Sequence, residues 1–104
     1  MQFVITAEHP PQLCPTGNAQ TREMMKQGAK ELPALAQKLG IEIITIRVYG
    51  GDHVVLALVE ASDIEKVREF IMQSRLIQWN TVKINATWSL EEALAKADQL
   101  PAIF

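Results

Sequence analysis

Cysteine is almost absent from this chain: Cys14 is the only one in 104 residues. A lone cysteine excludes an internal disulfide framework and a CxxC redox pair, and it fits a reducing compartment. Charge of one sign is lacking as well, with 10 Lys and Arg against 12 Asp and Glu for a net charge of -2. That balance leaves no basic excess and argues against nucleic acid as the main partner. No apolar run reaches the roughly 18 residues of a membrane helix, and MQFVITAEH has no basic segment leading into a long apolar one. These absences predict a cytoplasmic protein with no membrane partner. No solenoid-length repeat, low-complexity segment or linker interrupts the chain, so residues 1–104 are expected to form a single domain with a modest core.

What is present is organised around residues 41–60. IEIITIRVY and HVVLALVE are two apolar, β-branched runs separated by Gly50-Gly51-Asp52, a turn signal that predicts a β-hairpin. In the second run Val54, Leu56 and Leu58 share one face and Val55, Ala57 and Val59 the other. Both faces are apolar, which predicts a central strand covered on both sides. Gln2–Glu8, with Phe3, Ile5 and Ala7 on one face, and Thr81–Trp88, with Val82, Ile84, Ala86 and Trp88 set against Thr81, Lys83, Asn85 and Thr87, predict two further strands. Asn18 is placed to cap a helix running to about Leu39, with Met25, Ala29, Leu32, Ala36 and Leu39 along one face and Gly40 as its stop. Pro33 falls inside that stripe and predicts a kink or break near Lys30–Leu32. Ser62-Asp63-Ile64-Glu65 reads as a capping box for a helix to about Ser74, and Ser89-Leu90-Glu91-Glu92 as another for a short helix that Pro101 stops.

The order strand, helix, strand, strand, helix, strand is the ferredoxin-like βαββαβ sandwich, an α+β fold with a four-stranded antiparallel sheet, here followed by a C-terminal helix. Right-handed crossovers put the first and third strands in the centre and both main helices on one face. The second run of the hairpin is apolar on its other side too. In the first run Ile44, Ile46 and Val48 alternate with Ile41, Ile43, Thr45, Arg47 and Tyr49, so the uncovered face is expected to be an apolar patch. A second sheet is its expected cover, and a homodimer through the sheet face follows.

On that element order and length, from Gln2 to about Ala97, the chain resembles the dimeric α+β barrel superfamily and looks like one of its small uncharacterised members. The resemblance implies two ferredoxin-like sheets packed face to face. It implies no single activity, because relatives include cofactor-free monooxygenases, muconolactone-isomerase-like enzymes, haem proteins and small metal-binding proteins.

The topology brings the ends of the first two strands and the starts of the last two to one edge, which collects Glu8, His9, Tyr49, Asp52, His53, Gln78 and Trp79. The stiff loop HPPQLCPTG adds Cys14. Two imidazoles and a thiolate are ligands for zinc, copper, nickel or iron, so His9, Cys14 and His53 are the candidate metal set, with Tyr49, Asp52 and Trp79 as candidate substrate contacts. The bland alternative makes His9 a residue before a polyproline turn, Cys14 a small buried apolar group and His53 a satisfied strand-end histidine. Cys14 shortly before a helix N-terminus also has the position of a nucleophilic or redox thiol. A cofactor-free isomerase or monooxygenase would instead use Tyr49, Trp79 and His53 as a pocket for a small organic molecule, with His53 or His9 as general base. Trp79 and Trp88 have core packing as their alternative reading, and a non-enzymatic sensor module remains a further one. The expected function is a small metal-binding protein in which catalysis is left undecided.

Overall fold

In the computed structural model, which describes Met1–Phe104, the strands are β1 (Gln2–Glu8), β2 (Glu42–Tyr49), β3 (Val54–Glu60) and β4 (Thr81–Thr87). They form one antiparallel sheet in the order β2-β3-β1-β4. Helix α1 (Ala19–Leu39) leads from β1 to β2, α2 (Ile64–Gln73) from β3 to β4, and α3 (Leu90–Ala97) follows β4. This is the ferredoxin-like arrangement that the element order predicts, with β1 and β3 central. The core lies between one sheet face and the two long helices: Phe3 and Ile5 of β1 and Ala57 and Val59 of β3 pack with Ala36 and Leu39 of α1 and Val67, Phe70 and Ile71 of α2. Full burial of side chains such as Phe3, Ile5, Val59 and Val67 contributes about 1.5–3 kcal/mol each.

Strand β2 departs from simple alternation. A bulge between Ile43 and Thr45 makes Ile43 face Val59, Ile46 face Ala57 and Val48 face Val55, so all three lie on the helix side of the sheet. Read without the bulge, Ile43 falls on the opposite face with Thr45 and Arg47. The correction makes the uncovered face more polar than alternation predicts. Val4, Leu56 and Leu58 of the central strands form a half-buried apolar strip, bordered by Thr45 and Arg47 on one side and Lys83 and Asn85 on the other.

Helix α1 begins and ends as expected: the Asn18 side chain accepts a hydrogen bond from the Thr21 N–H at 2.9 Å, and Gly40 closes the helix at φ 69°. Of the kink or break expected at Pro33, the break does not occur: α1 runs unbroken from Ala19 to Leu39. Pro33 and Ala29, whose carbonyl the proline cannot pair, are both exposed residues, while Leu32, Leu35, Ala36 and Leu39 hold the opposite side in the core. Helix α2 starts one residue later than the predicted box, with Asp63 rather than Ser62 as N-cap, accepting from Lys66 N–H at 3.1 Å. The Ser89–Glu92 capping box forms as predicted and opens α3, whose Leu90 and Leu94 are exposed. Trp88 is exposed rather than core, with the Lys96 ammonium 4.9 Å from its ring centre. No helix is long and apolar enough to cross a membrane.

Candidate metal centre

His9 leaves β1 immediately after its last paired residue, and its backbone N–H donates to the carbonyl of His53 at 3.1 Å. That bond ties the loop after β1 to the hairpin turn. The turn is one residue longer than the Gly50-Gly51-Asp52 signal suggests, because His53 belongs to it and β3 begins at Val54. Gly51 has φ 84° and His53 φ 57°, so the chain passes twice through the left-handed region before entering β3. The His53 ring stands edge-on to the His9 ring with centroids 5.6 Å apart.

Cys14 is positioned by the proline-rich loop. Pro11–Leu13 form a 3-10 turn, the Cys14 N–H donates to the Pro11 carbonyl at 3.2 Å, and the Cys14 carbonyl accepts from Gly17 and Asn18 at 3.0 and 2.8 Å. The first turn of α1 fastens the loop from the other side. Asn18 Nδ2 donates to the Gln12 carbonyl at 2.9 Å, and Arg22 donates from Nε and Nη2 to the carbonyls of Pro15 and Thr16, both at 2.8 Å. A segment rigid in φ is thus clamped at several points, and the buried thiol is held with it.

His9, Cys14 and His53 come together as the edge topology predicts: one ligand atom from each lies within 4.8 Å of the others. His9 and Cys14 are buried and His53 half-buried. The three line a pocket of about 510 Å³ with Tyr49 and Trp79, and Trp79 stacks obliquely on His9 at 5.1 Å between ring centres. Asp52 is exposed in the turn and does not line this pocket. Glu8 and Gln78, on the same edge, do not line it either.

Sequence reasoning misses Asn80. Its Oδ1 lies 2.9 Å from His9 Nδ1, and its Nδ2 donates to the Leu76 carbonyl at 3.1 Å. With the amide nitrogen committed to a carbonyl, Oδ1 must be the atom facing the imidazole, so His9 Nδ1 carries the proton and Nε2 keeps its lone pair. That Nε2 is buried with no hydrogen-bond partner. The available signal was position, since Asn80 follows Trp79 at the start of β4 on the shared edge.

Thr16 was missed for the same reason: its hydroxyl sits 2.9 Å from Cys14 Sγ. The thiol is lowered from its ordinary 9.0 to about 6, chiefly because the Thr16 hydroxyl and backbone hydrogen-bond the thiolate, against the opposing effect of burial. A thiolate is the form that binds metals and attacks electrophiles.

No family model matches the chain. No curated protein matches its sequence. Among solved structures, the de novo designed protein Ferredog-Diesel is similar with a TM-score of 0.54 at 16% identity, over 83% of this chain and 85% of that one. The designed ferredoxin-fold protein LFR1 1 gives 0.43 at 17% identity, over 86% and 90%. A MjSpt4:Spt5 complex gives 0.40 at 18% identity, over 99% of this chain and 61% of that one. The first of these likenesses supports the ferredoxin-like fold and says nothing of activity.

Proposed function

We propose that this chain binds one transition-metal ion through His9, Cys14 and His53. The observation that carries this reading is His9: a buried imidazole whose Nδ1–H is spent on Asn80 and whose Nε2 lone pair has no donor. Leaving a buried acceptor unpaired costs about 1–3 kcal/mol, and a ligand on Nε2 removes that cost. An imidazole oriented by a hydrogen bond from its other nitrogen is the usual second-layer support of a metal ligand. The ordered thiolate supplies the negative charge, and the pocket beyond it leaves room for a small molecule contacting Tyr49 and Trp79. Metal analysis of untagged protein is the test. One equivalent of metal, lost in Cys14→Ser, supports the reading; full metal content in both Cys14→Ser and His53→Ala removes it.

A second copy of the chain is the proposed partner, seated on the uncovered sheet face. Its support is the strip Val4, Leu56 and Leu58 with a polar border, the pattern of an apolar interface centre and a wetter rim. Light scattering at micromolar concentration should give twice the 11.6 kDa chain mass; a monomer there overturns it.

The Asn80–His9 hydrogen bond also favours a second reading, a nucleophilic thiol with His9 as base and Asn80 holding the base in its reactive tautomer. Metal-free protein that forms a Cys14 thioester with a small activated acyl compound, faster in wild type than in Asn80→Ala, would favour it over the metal reading.

A further inference from the structure

The pocket beside the three donors is lined by a second sulfur-bearing residue and no carboxylate. Met25 of α1 lines it, and neither Asp nor Glu does. Met25 lies three residues beyond Arg22, on the same side of the helix. The two bonds from Arg22 to the Pro15 and Thr16 carbonyls hold that side of α1 over the Cys14 loop. The available donors are therefore two imidazoles, a thiolate and a thioether. Hard oxygen-seeking ions find no carboxylate here, only the neutral hydroxyls of Thr16 and Tyr49, and a thioether is a ligand only for a soft ion.

Charge narrows the choice further. With both imidazoles neutral, the donor set carries only the one negative charge of Cys14. A dication would leave the assembled centre at +1, whereas a monocation leaves it neutral. The surroundings favour neutrality: Val48, Val55 and Trp79 give the pocket apolar walls, and the guanidinium of Arg22 is already a cation on its lining. A net charge in such a place carries a desolvation cost and a like-charge repulsion that a neutral complex avoids.

We propose that the ion is copper(I) and that Met25 is its fourth donor, beside His9 Nε2, Cys14 Sγ and an imidazole nitrogen of His53. The inference rests on the metal reading above and adds both the identity of the ion and a ligand. Met25 is 38% exposed, the most accessible of the four, so it is the donor that an incoming soft ligand meets first. The centre is thereby built to exchange copper(I) with thiol or thioether ligands as well as to hold it.

The test uses the full reduced chain under anaerobic conditions, titrated with copper(I) against a coloured copper(I) chelator and separately with zinc against a zinc indicator. One copper(I) per chain is expected. Met25→Leu, which keeps side-chain volume and tolerates packing, should weaken copper(I) about tenfold and leave zinc affinity unchanged. Selenomethionine-labelled protein should show copper backscattering at the selenium edge, and Met25→Leu should abolish it. If copper(I) affinity and the selenium spectrum are indifferent to Met25 while Cys14→Ser still loses metal, the copper assignment fails and the metal site stands. More than one copper per chain overturns the assignment as well. If neither ion binds, both readings fall.

Discussion

Two side-chain atoms are buried without a hydrogen bond, one at each end of the sheet: Glu60 Oε2 and His9 Nε2. The far end resolves its case. Glu60 Oε2 lies 2.9 Å from the Met1 ammonium, that ammonium also donates to the Ala61 carbonyl at 3.2 Å, and the Thr87 hydroxyl donates to the Gln2 carbonyl at 3.0 Å. At the other end His9 Nε2 faces a thiol and a second imidazole, neither of which completes it, and the backbone there enters the left-handed region at His53. A carboxylate beside an ammonium is electrostatically complete, whereas an oriented lone pair among other donors is not. The same small sheet therefore has one end built for closure and one built around a group that it does not supply.

The comparison breaks most readily at the ligands. Cys14→Ser and His53→Ala should each lower metal affinity by more than about 100-fold, since losing a thiolate or imidazole ligand, unlike losing a weakly donating neutral thioether, exceeds the 10–100-fold typical of outer partners. Glu60→Gln at the far end should leave affinity unchanged. Competition against a chromophoric chelator reads all three, and equal affinities across the set would mean that the two ends do not differ in kind.

Asn80→Ala comes next. It removes no ligand, yet it frees His9 to rotate and to exchange its proton between nitrogens, so affinity should fall about 10–100-fold. The metal's spectrum should persist at saturating metal. Loss of the spectrum altogether would make Asn80 part of the folding core rather than the orienting partner of His9.

The thiol supplies a pH dependence that the far end lacks. In metal-free protein Cys14 should be alkylated with a midpoint near pH 6 rather than near its ordinary 9.0. Because the folded thiol has the lower value, between these limits the unfolded chain holds the extra proton and stability rises with pH. The contribution is complete above pH 9 and is lost as pH falls through about 6. The difference in melting temperature between wild type and Cys14→Ala across this window isolates it, and a difference independent of pH would show that Thr16 does not stabilise the thiolate.

The fold was legible because its signals are periodic and local. Four alternating runs, the Asn18 cap, the Gly40 stop and the Ser89–Glu92 box are each written within one segment, and their order alone gives the strand topology. The bulge at Ile44 was not legible, because the extra residue only sets one isoleucine beside another and leaves no gap in the apolar pattern. Pro33 misled for a related reason: the cost of proline in a helix depends on whether the freed carbonyl is buried, and exposure is a tertiary fact. Replacing it is therefore expected to stabilise, by about 1–3 kcal/mol for Pro33→Ala in chemical denaturation, with metal affinity untouched. Of the site, the edge topology collected His9, Cys14 and His53, since ligand-type residues are rare here and stand out. Asn80, Thr16 and Met25 were missed, because amides, hydroxyls and thioethers are common and acquire roles only through what faces them.

The smallest expected effect is at His53, and it separates folding from function at the site end. A non-glycine residue at φ 57° carries a steric cost that Asn tolerates better than other side chains, because its short polar group bonds locally in the left-handed region. Ala has no such relief. In metal-free protein His53→Asn should therefore be more stable than His53→Ala by about 1 kcal/mol, and at least as stable as wild type, while both variants lose metal to a similar extent. Urea denaturation of the three proteins in the presence of a chelator measures the order. If Asn and Ala prove equal, the turn carries no strain at this position, and the His53 ring reaches the pocket without backbone cost. If Asn is more stable than the wild-type histidine as well as than Ala, and metal is lost, the histidine is kept at position 53 at a cost to folding, and the far end, where no paired group sits in such a conformation, has no equivalent.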